Sequence, residues 1–208
     1  DVEIELEKAK GEFALNIRIP GWVRGEVVPS DLYTYADGKR LGYSVRVNGQ
    51  TVESELKDGY FVISRKWAKG DKVEVHFDME PRLVKAHHKV EQDRGRLAVE
   101  RGPLVYCAEW ADNSCNVLNV LLNRKPKFEL GSKMIANTEV QTLTTSAQTL
   151  AYDESGRMTV KDESLVLIPY YAWAHRGNGN MAVWLPYDLT ATTPQTPPTI
   201  ASQSKIGS

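Results

Sequence analysis

At 208 residues, 41% of them hydrophobic and 25% charged, the chain carries enough apolar material for one large or two small cores, which excludes a disordered or fibrous protein. Lys and Arg number 26 against 27 Asp and Glu, so the formal net charge is −1 and no global field recruits nucleic acid or an anionic membrane. The mean hydropathy is −0.41, and no apolar run approaches the ~20 residues of a helical bilayer crossing.

Alternation with a period of two dominates, with turn residues between runs, as in antiparallel sheets that keep one wet face. The chain enters it at once: Val2, Ile4 and Leu6 alternate with Glu3, Glu5 and Glu7 behind an initial Asp1, the start expected of a processed chain or a piece of a longer one. Phe13, Leu15, Ile17 and Ile19 continue the pattern until Pro20-Gly21 stops it. The stretch from Glu26 to Arg40 has no clean period and reads as an inserted surface loop carrying Tyr33 and Tyr35. After Val45 and Val47, Asn48-Gly49 is the strongest short hairpin signal, because both central residues of a type I′ turn need positive φ. Tyr60–Ile63 and Val73–Phe77 complete a predicted meander of about six strands in the first 80 or so residues.

Between Pro81 and Arg94 the pattern breaks, as at a crossing between two sheets or domains. Apolar runs then flank Arg101-Gly102-Pro103, where proline, unable to donate to a ladder, marks a bend or strand start. The signal weakens from Phe128 to Val160. Leu165–Ala174 and Met181–Leu185 around Gly177-Asn178-Gly179-Asn180 read as a final hairpin, and from Thr190 the composition is that of a tail. The expected fold is all-β: two tandem antiparallel β-sandwiches, jelly-roll-like, over 1–86 and 87–180, with a Thr/Pro/Ser-rich tail at 188–208.

Candidate chemistry is sparse. Adjacent His87 and His88 on a strand point to opposite faces, unlike ligands of one metal, although Glu91 and Asp93 lie close by. Cys107 sits in an apolar strand, where a thiol behaves as a small hydrophobe, and Cys115 in a polar loop; neither has a histidine near in sequence to ionise it, and their pairing is left open. Glu100 and Glu109 are conceivable as a glycosidase pair, which needs carboxyls about 5 to 9.5 Å apart across a cleft. Among five tryptophans and nine tyrosines, Trp22, Tyr33, Tyr35 and Trp173 are the candidate interface or sugar-stacking rings, weighed against ordinary packing.

Five segments occur in order: Arg18-Ile19-Pro20-Gly21-Trp22; Val47-Asn48-Gly49; Trp67-Ala68-Lys69-Gly70-Asp71; Glu100 to Glu109 (Glu-Arg-Gly-Pro-Leu-Val-Tyr-Cys-Ala-Glu); and Ile168 to Gly177 (Ile-Pro-Tyr-Tyr-Ala-Trp-Ala-His-Arg-Gly). Together they resemble the C-terminal region of glycoside hydrolase family 127, the β-L-arabinofuranosidase-like family. The resemblance covers Gly11 to Pro186. It implies two β-sandwiches that follow an N-terminal (α/α)₆ barrel, with the zinc–cysteine catalytic site in that barrel and no cofactor here. Cys107 falls on the family's Gly-Pro-Leu-Val-Tyr-Cys strand, away from its catalytic cysteines, so no catalytic residue and no metal ligand is expected in this chain.

The resemblance further implies an accessory role: docking or stabilising the chain's own catalytic barrel, with a homodimer and an arabino-oligosaccharide as further expected partners. A carbohydrate-binding module for arabinose-containing glycans is the alternative. A docking role predicts exposed rings at Trp22, Tyr33, Tyr35 or Trp173. The family pattern also suggests that 181–187 returns to complete the first sandwich beside Phe13–Ile19, and the parent enzyme is of a kind exported to the periplasm or beyond.

Overall fold

The period-two alternation becomes antiparallel ladders almost throughout. The computed structural model describes residues 1–192, which divide into two units: 1–91 with 99–104, and 92–98 with the described residues from 105 onward.

The first unit is built from β1 (Val2–Glu5), β2 (Lys10–Arg18), the single helical turn α1 (Gly21–Arg24), β3 (Tyr33–Tyr35), β4 (Tyr43–Val47), β5 (Gln50–Val52), β6 (Leu56–Lys57), β7 (Tyr60–Ala68), β8 (Lys72–Phe77) and β9 (Pro81–Ala86). It is not a meander. β1 pairs with β8 and β2 with β7, so the strands nest into a β1-β8-β4-β5 sheet and a β2-β7-β6 sheet. Directly opposed residues share a face. Val45 and Val47 lie across from Val75 and Val73 on one sheet, while Ile17 and Leu15 lie across from Phe61 and Ile63 on the other. These inner faces form one buried cluster with Ile19, Val23 and Trp67. Fully burying each large apolar side chain contributes about 1.5–3 kcal/mol, and the cluster is the unit's main source of stability.

The Asn48-Gly49 turn forms as expected, with φ of 51° and 79° and Val47 opposite Gln50. Asn48 then reaches beyond its hairpin: its Nδ2 donates to Asp71 Oδ1 at 2.9 Å, and its Oδ1 accepts from the Lys72 amide at 2.9 Å. The stretch 26–40 is not wholly a loop. β3 pairs with β9, Tyr35 opposite Val84, which draws Tyr35 inward.

The second unit contains β10 (Arg96–Arg101, whose last three residues belong to the first unit), β11 (Leu104–Glu109), β12 (Val120–Leu122), β13 (Glu129–Ile135), β14 (Thr138–Tyr152), β15 (Met158–Pro169), β16 (Met181–Ala182) and β17 (Leu185–Pro186). β14 runs for 15 residues and β15 for 12, in the very stretch where the sequence pattern fades. The reason is composition. Threonines such as Thr142 and Thr145 are buried there, so the inward positions do not read as apolar.

The ending differs from both sequence readings. Met181–Ala182 pairs with β11 and Leu185–Pro186 with β10, while β2 is an edge strand of its sheet among the described residues. The strand 181–187 therefore does not complete the first sandwich. Nor do β15 and β16 form a hairpin: Ala108 of β11 faces Leu167 on one side and Ala182 on the other, so the chain crosses from one edge of β11 to the other. A two-residue strand carries too little alternation to announce its partner. The first residues of the assigned tail are ordered into local structure. At its head, Leu189–Ala191 makes a 3₁₀ turn capped by Asp188 Oδ1, and Arg96 Nη2 donates to the Ala191 carbonyl at 3.2 Å. The rest of it, 193–208, lies outside the described residues.

Trp67 is the largest buried side chain of the first cluster, 1% exposed, and its Nε1 donates to the Phe13 carbonyl at 3.0 Å. Trp67→Ala removes both the volume and the hydrogen bond. It is expected to cost about 3–5 kcal/mol, read as a lower urea midpoint for the unfolding of this unit.

Candidate functional site

Two constellations stand out, one in each unit. In the first, Arg82 occupies a strand position that alternation reserves for an apolar residue, two before buried Val84, and is itself 5% exposed. Its Nη2 and Nε donate to the Asp37 carboxylate at 2.6 and 3.2 Å, its Nη1 to the Trp22 carbonyl at 3.2 Å and its Nη2 to the Lys39 carbonyl at 2.7 Å. The guanidinium also lies over the Tyr35 ring, 3.5 Å from its centroid. Tyr35 in turn donates its hydroxyl to Glu100 Oε2 at 2.8 Å. One buried cation thus ties the helical turn, β3, the 37–39 turn and Glu100 together. Burial pushes Asp37 up, but the hydrogen bonds from Arg82 and the Lys39 amide, together with the charges of Arg82 and Lys39, outweigh it and hold that carboxyl below its ordinary range. Burial acts the other way on Glu100, which sits above the ordinary carboxylate range despite the Tyr35 hydroxyl and the Arg82 charge.

Glu100 faces a cleft of about 340 Å³ walled by Arg18, Trp22, Arg24, Glu26 and Pro103. The two ends of the cleft come from segments singled out in the sequence, Arg18-Ile19-Pro20-Gly21-Trp22 and Glu100-Arg101-Gly102-Pro103. Pro20 ends β2 and Gly21 opens α1, which Gly25 closes at φ 85° while accepting no side chain there: a Cβ would come within 2.8 Å of the Lys39 carbonyl. Gly102, at φ 59°, makes the corresponding turn on the other wall, where a Cβ would run into Met79. Arg24 spans the floor, its Nε donating to the Ile19 carbonyl at 3.1 Å and its Nη2 pairing with Glu26 at 2.9 Å.

The second constellation is ionic. Arg176 donates to Asp112 at 2.7 and 2.6 Å and to Glu109, Lys133 also pairs with Asp112, and Glu109 Oε1 accepts the Ala174 amide at 3.0 Å. Glu109 is 1% exposed. Burial raises Asp112, but Arg176 and Lys133 more than offset it and hold the carboxyl below its ordinary range. The cluster pins the 173–180 segment to the end of β11.

The four rings named from sequence are not an exposed platform. Tyr35 is 4% exposed, clamped between Arg82 and Glu100. Trp22 is half-buried, edge-on to Phe77 with centroids 5.7 Å apart. Tyr33 is half-buried on β3, and Trp173 is half-buried against the Cys107, Ile168 and Ala172 cluster. The structure exposes other aromatic rings, Trp110, Tyr170 and Tyr171 among them.

Glu100 and Glu109 each serve a different partner, a tyrosine hydroxyl and an arginine, and neither holds the other's proton. Cys107 and Cys115 are free thiols; burial pushes Cys107 up to about 12, far from thiolate chemistry at neutral pH. Among the described residues no group of three or more His, Cys, Asp or Glu is placed to hold a metal ion. Sequence reading missed Arg82 and Arg176. For Arg82 the available signal was a charged residue two before an apolar one on the same strand; Arg176, outside any strand, carries no such signal.

Comparison with known proteins assigns the fold. Residues 1–79 match the middle domain of the β-L-arabinofuranosidases of glycoside hydrolase family 127, and residues 81–186 match that family's C-terminal domain. The chain belongs to glycoside hydrolase family 127. It is 30% identical over 199 residues to a non-reducing end β-L-arabinofuranosidase of Bifidobacterium longum subsp. longum, an alignment covering 88% of this chain and 27% of that protein. Among solved structures, the GH127 β-arabinofuranosidase BT3674 superposes with a TM-score of 0.89 at 56% identity over 93% of this chain and 31% of its own. A GH127 β-L-arabinofuranosidase of Geobacillus stearothermophilus T6 gives 0.71 at 34% identity, covering 86% and 27%. The chain therefore spans roughly three-tenths of the length of these family members.

The ion cluster makes a pH-dependent prediction. A carboxyl held below its ordinary value lends stability that is complete above that value, 3.8 for Asp112, and fades as pH falls through the depressed one. Arg176→Met, which leaves buried Glu109 with no cationic partner and Asp112 with Lys133 alone, is expected to cost about 3–5 kcal/mol at neutral pH. The deficit should narrow as pH falls from 3.8 through the depressed value, where Asp112 protonates and no longer needs its partner; urea titrations of both proteins at neutral pH and below 3.8 measure it.

Proposed function

We propose that this chain is the accessory, non-catalytic β-sandwich region of a family 127 β-L-arabinofuranosidase, and that it serves as a buttress for the catalytic part of the enzyme. One observation carries the reading: the two acids with the most deeply buried carboxylates are engaged as structure. Glu109 is paired with Arg176, and Asp112 with Arg176 and Lys133. General acid catalysis needs a carboxyl within reach of a substrate oxygen. With side chains 2% and 1% exposed, neither Glu109 nor Asp112 offers one.

The apolar surface supports docking, though through other residues than the sequence suggested. On β13, Leu130 and Met134 are 58% and 61% exposed, and at the far end of the β14–β15 ribbon Tyr152, Met158 and Val160 are each about half exposed. Opposed Tyr152 and Met158 sit where a two-stranded ribbon has no third strand to cover it. Roughly seven-tenths of the length of the family's enzymes lies outside the aligned region, which supplies a partner large enough to cover such surface. Zinc and the bond-breaking groups belong, in this reading, to that partner.

Incubating the purified chain with a nitrophenyl β-L-arabinofuranoside tests the reading. No release of nitrophenol above a buffer control is expected. Turnover that tracks the protein through successive purification steps and is abolished by Glu100→Gln or Glu109→Gln would show that the region is itself the enzyme.

A further inference from the structure

We propose that Asn178 is a site of spontaneous covalent modification, where the Gly179 backbone nitrogen closes on the asparagine side chain and converts it to an aspartyl or isoaspartyl residue. The inference rests on the geometry of the 173–180 segment and is independent of the buttress reading.

Asn-Gly occurs twice in the chain, and the two copies are held in opposite ways. Asn48 is locked. Its amide donates to the Lys72 carbonyl, its Nδ2 to Asp71 Oδ1, and its Oδ1 accepts the Lys72 amide, each at 2.9 Å. Asn178 is exposed, and its side chain makes no hydrogen bond with a described residue. The Gly179 amide beside it is equally unengaged among the described residues, so neither the attacking nitrogen nor the attacked carbonyl has a partner to give up.

The fold itself demands the glycine. A Cβ at position 179 would run into the Trp110 ring, and Gly177, at φ 95°, takes a conformation that side chains disfavour. Asn178 therefore stands between two glycines that the structure requires. The missing side chain that lets Gly179 lie against Trp110 also leaves its nitrogen unshielded from Asn178 Cγ.

The chemistry balances with water alone. The Gly179 nitrogen gives up its proton and bonds to Asn178 Cγ; the Cγ–Nδ2 bond breaks, and ammonia leaves carrying that proton. Water then opens the resulting succinimide. Addition at Cγ restores the main chain and leaves an aspartate, whereas addition at the main-chain carbonyl carbon leaves an isoaspartate, whose backbone is one carbon longer. That longer chain lies between two anchors. Arg176 is tied to Glu109 and Asp112 on one side; on the other, the Asn180 carbonyl accepts the Trp110 amide at 3.0 Å and its Nδ2 donates to Asn116 Oδ1 at 3.0 Å. With both ends held, the added carbon has to displace Gly179 from the Trp110 ring.

The test is to age the folded chain in mildly alkaline buffer and follow both Asn-Gly sites by peptide mass spectrometry, with enzymatic isoaspartate labelling. A parallel sample unfolded in guanidinium chloride gives each site's rate without structure. In the folded chain Asn178 is expected to convert at least about tenfold faster than Asn48, whose side-chain hydrogen bonds must break first. Unfolding should bring the two rates together, and Asp71→Ala should raise the Asn48 rate a few-fold. Ageing should also shift the Trp110 indole N–H signal in NMR spectra. Asn178→Gln, at an exposed and unpartnered position, keeps the fold and should abolish both the labelling at this site and the shift. The proposal is overturned if Asn178 stays intact in the folded chain while it converts in the unfolded one, if both sites convert at equal rates when folded, or if the Trp110 shift persists in Asn178→Gln. None of these outcomes touches the nitrophenyl assay, so the buttress reading stands or falls separately.

Discussion

A guanidinium buried in the position of a valine is the constraint on which the first unit turns. Taking Arg82 out of water is costly unless all its donors are met and a counter-charge is close. Asp37, two backbone carbonyls and the Tyr35 face meet them, and they come from two stretches of chain, Trp22 in α1 and residues 35–39. The result is conformational. A hub that must be satisfied from the 37–39 turn, α1 and β3 at once fixes their positions together, beside the apolar packing of Val23 and Tyr35. Breaking one spoke leaves a charge stranded, so the network holds or fails as a whole.

Arg176 repeats the device in the second unit with the signs of the problem reversed. There the buried groups are the acids Glu109 and Asp112, and the arginine arrives on an irregular segment to neutralise them. That arrival explains why Leu165–Ala174 and Met181–Leu185 do not close on each other. Once Arg176 is anchored at the end of β11, the chain is carried over that strand and continues along its other edge, where Ala182 pairs with Ala108.

What was legible in the sequence follows from this. Alternation in Val45, Val47, Val73 and Val75 identifies the strands and their inner face, and Asn48-Gly49 identifies one hairpin, because these signals are local. Pairing order is not local. Nothing in Val2-Glu3-Ile4 says that its neighbour will be β8, some 70 residues on, and the nesting of β1 with β8 and β2 with β7 had to come from the structure. The surroundings of the candidate rings are hidden for a related reason. Composition marks Tyr35 as a large amphipathic side chain, but whether its hydroxyl meets solvent or Glu100 depends on a residue 65 positions away. The two segments that make the cleft were legible as segments; that they face each other was not.

The two glutamates that sequence alone made equals show how one chain can hold scaffold and site together. Glu109 is spent: one oxygen takes a backbone amide, the other an arginine, and at 1% exposure no ligand can reach it. Glu100 is merely oriented. A single neutral hydroxyl holds it, burial keeps it above the ordinary carboxylate range, and the remaining face opens on a cleft. A carboxylate satisfied by a full ionic partner lends rigidity and nothing else, whereas one held by a phenol keeps most of its acceptor strength for a ligand. On that difference Glu109 belongs to the fixed frame of the second unit, whereas Glu100 keeps acceptor capacity open on the first.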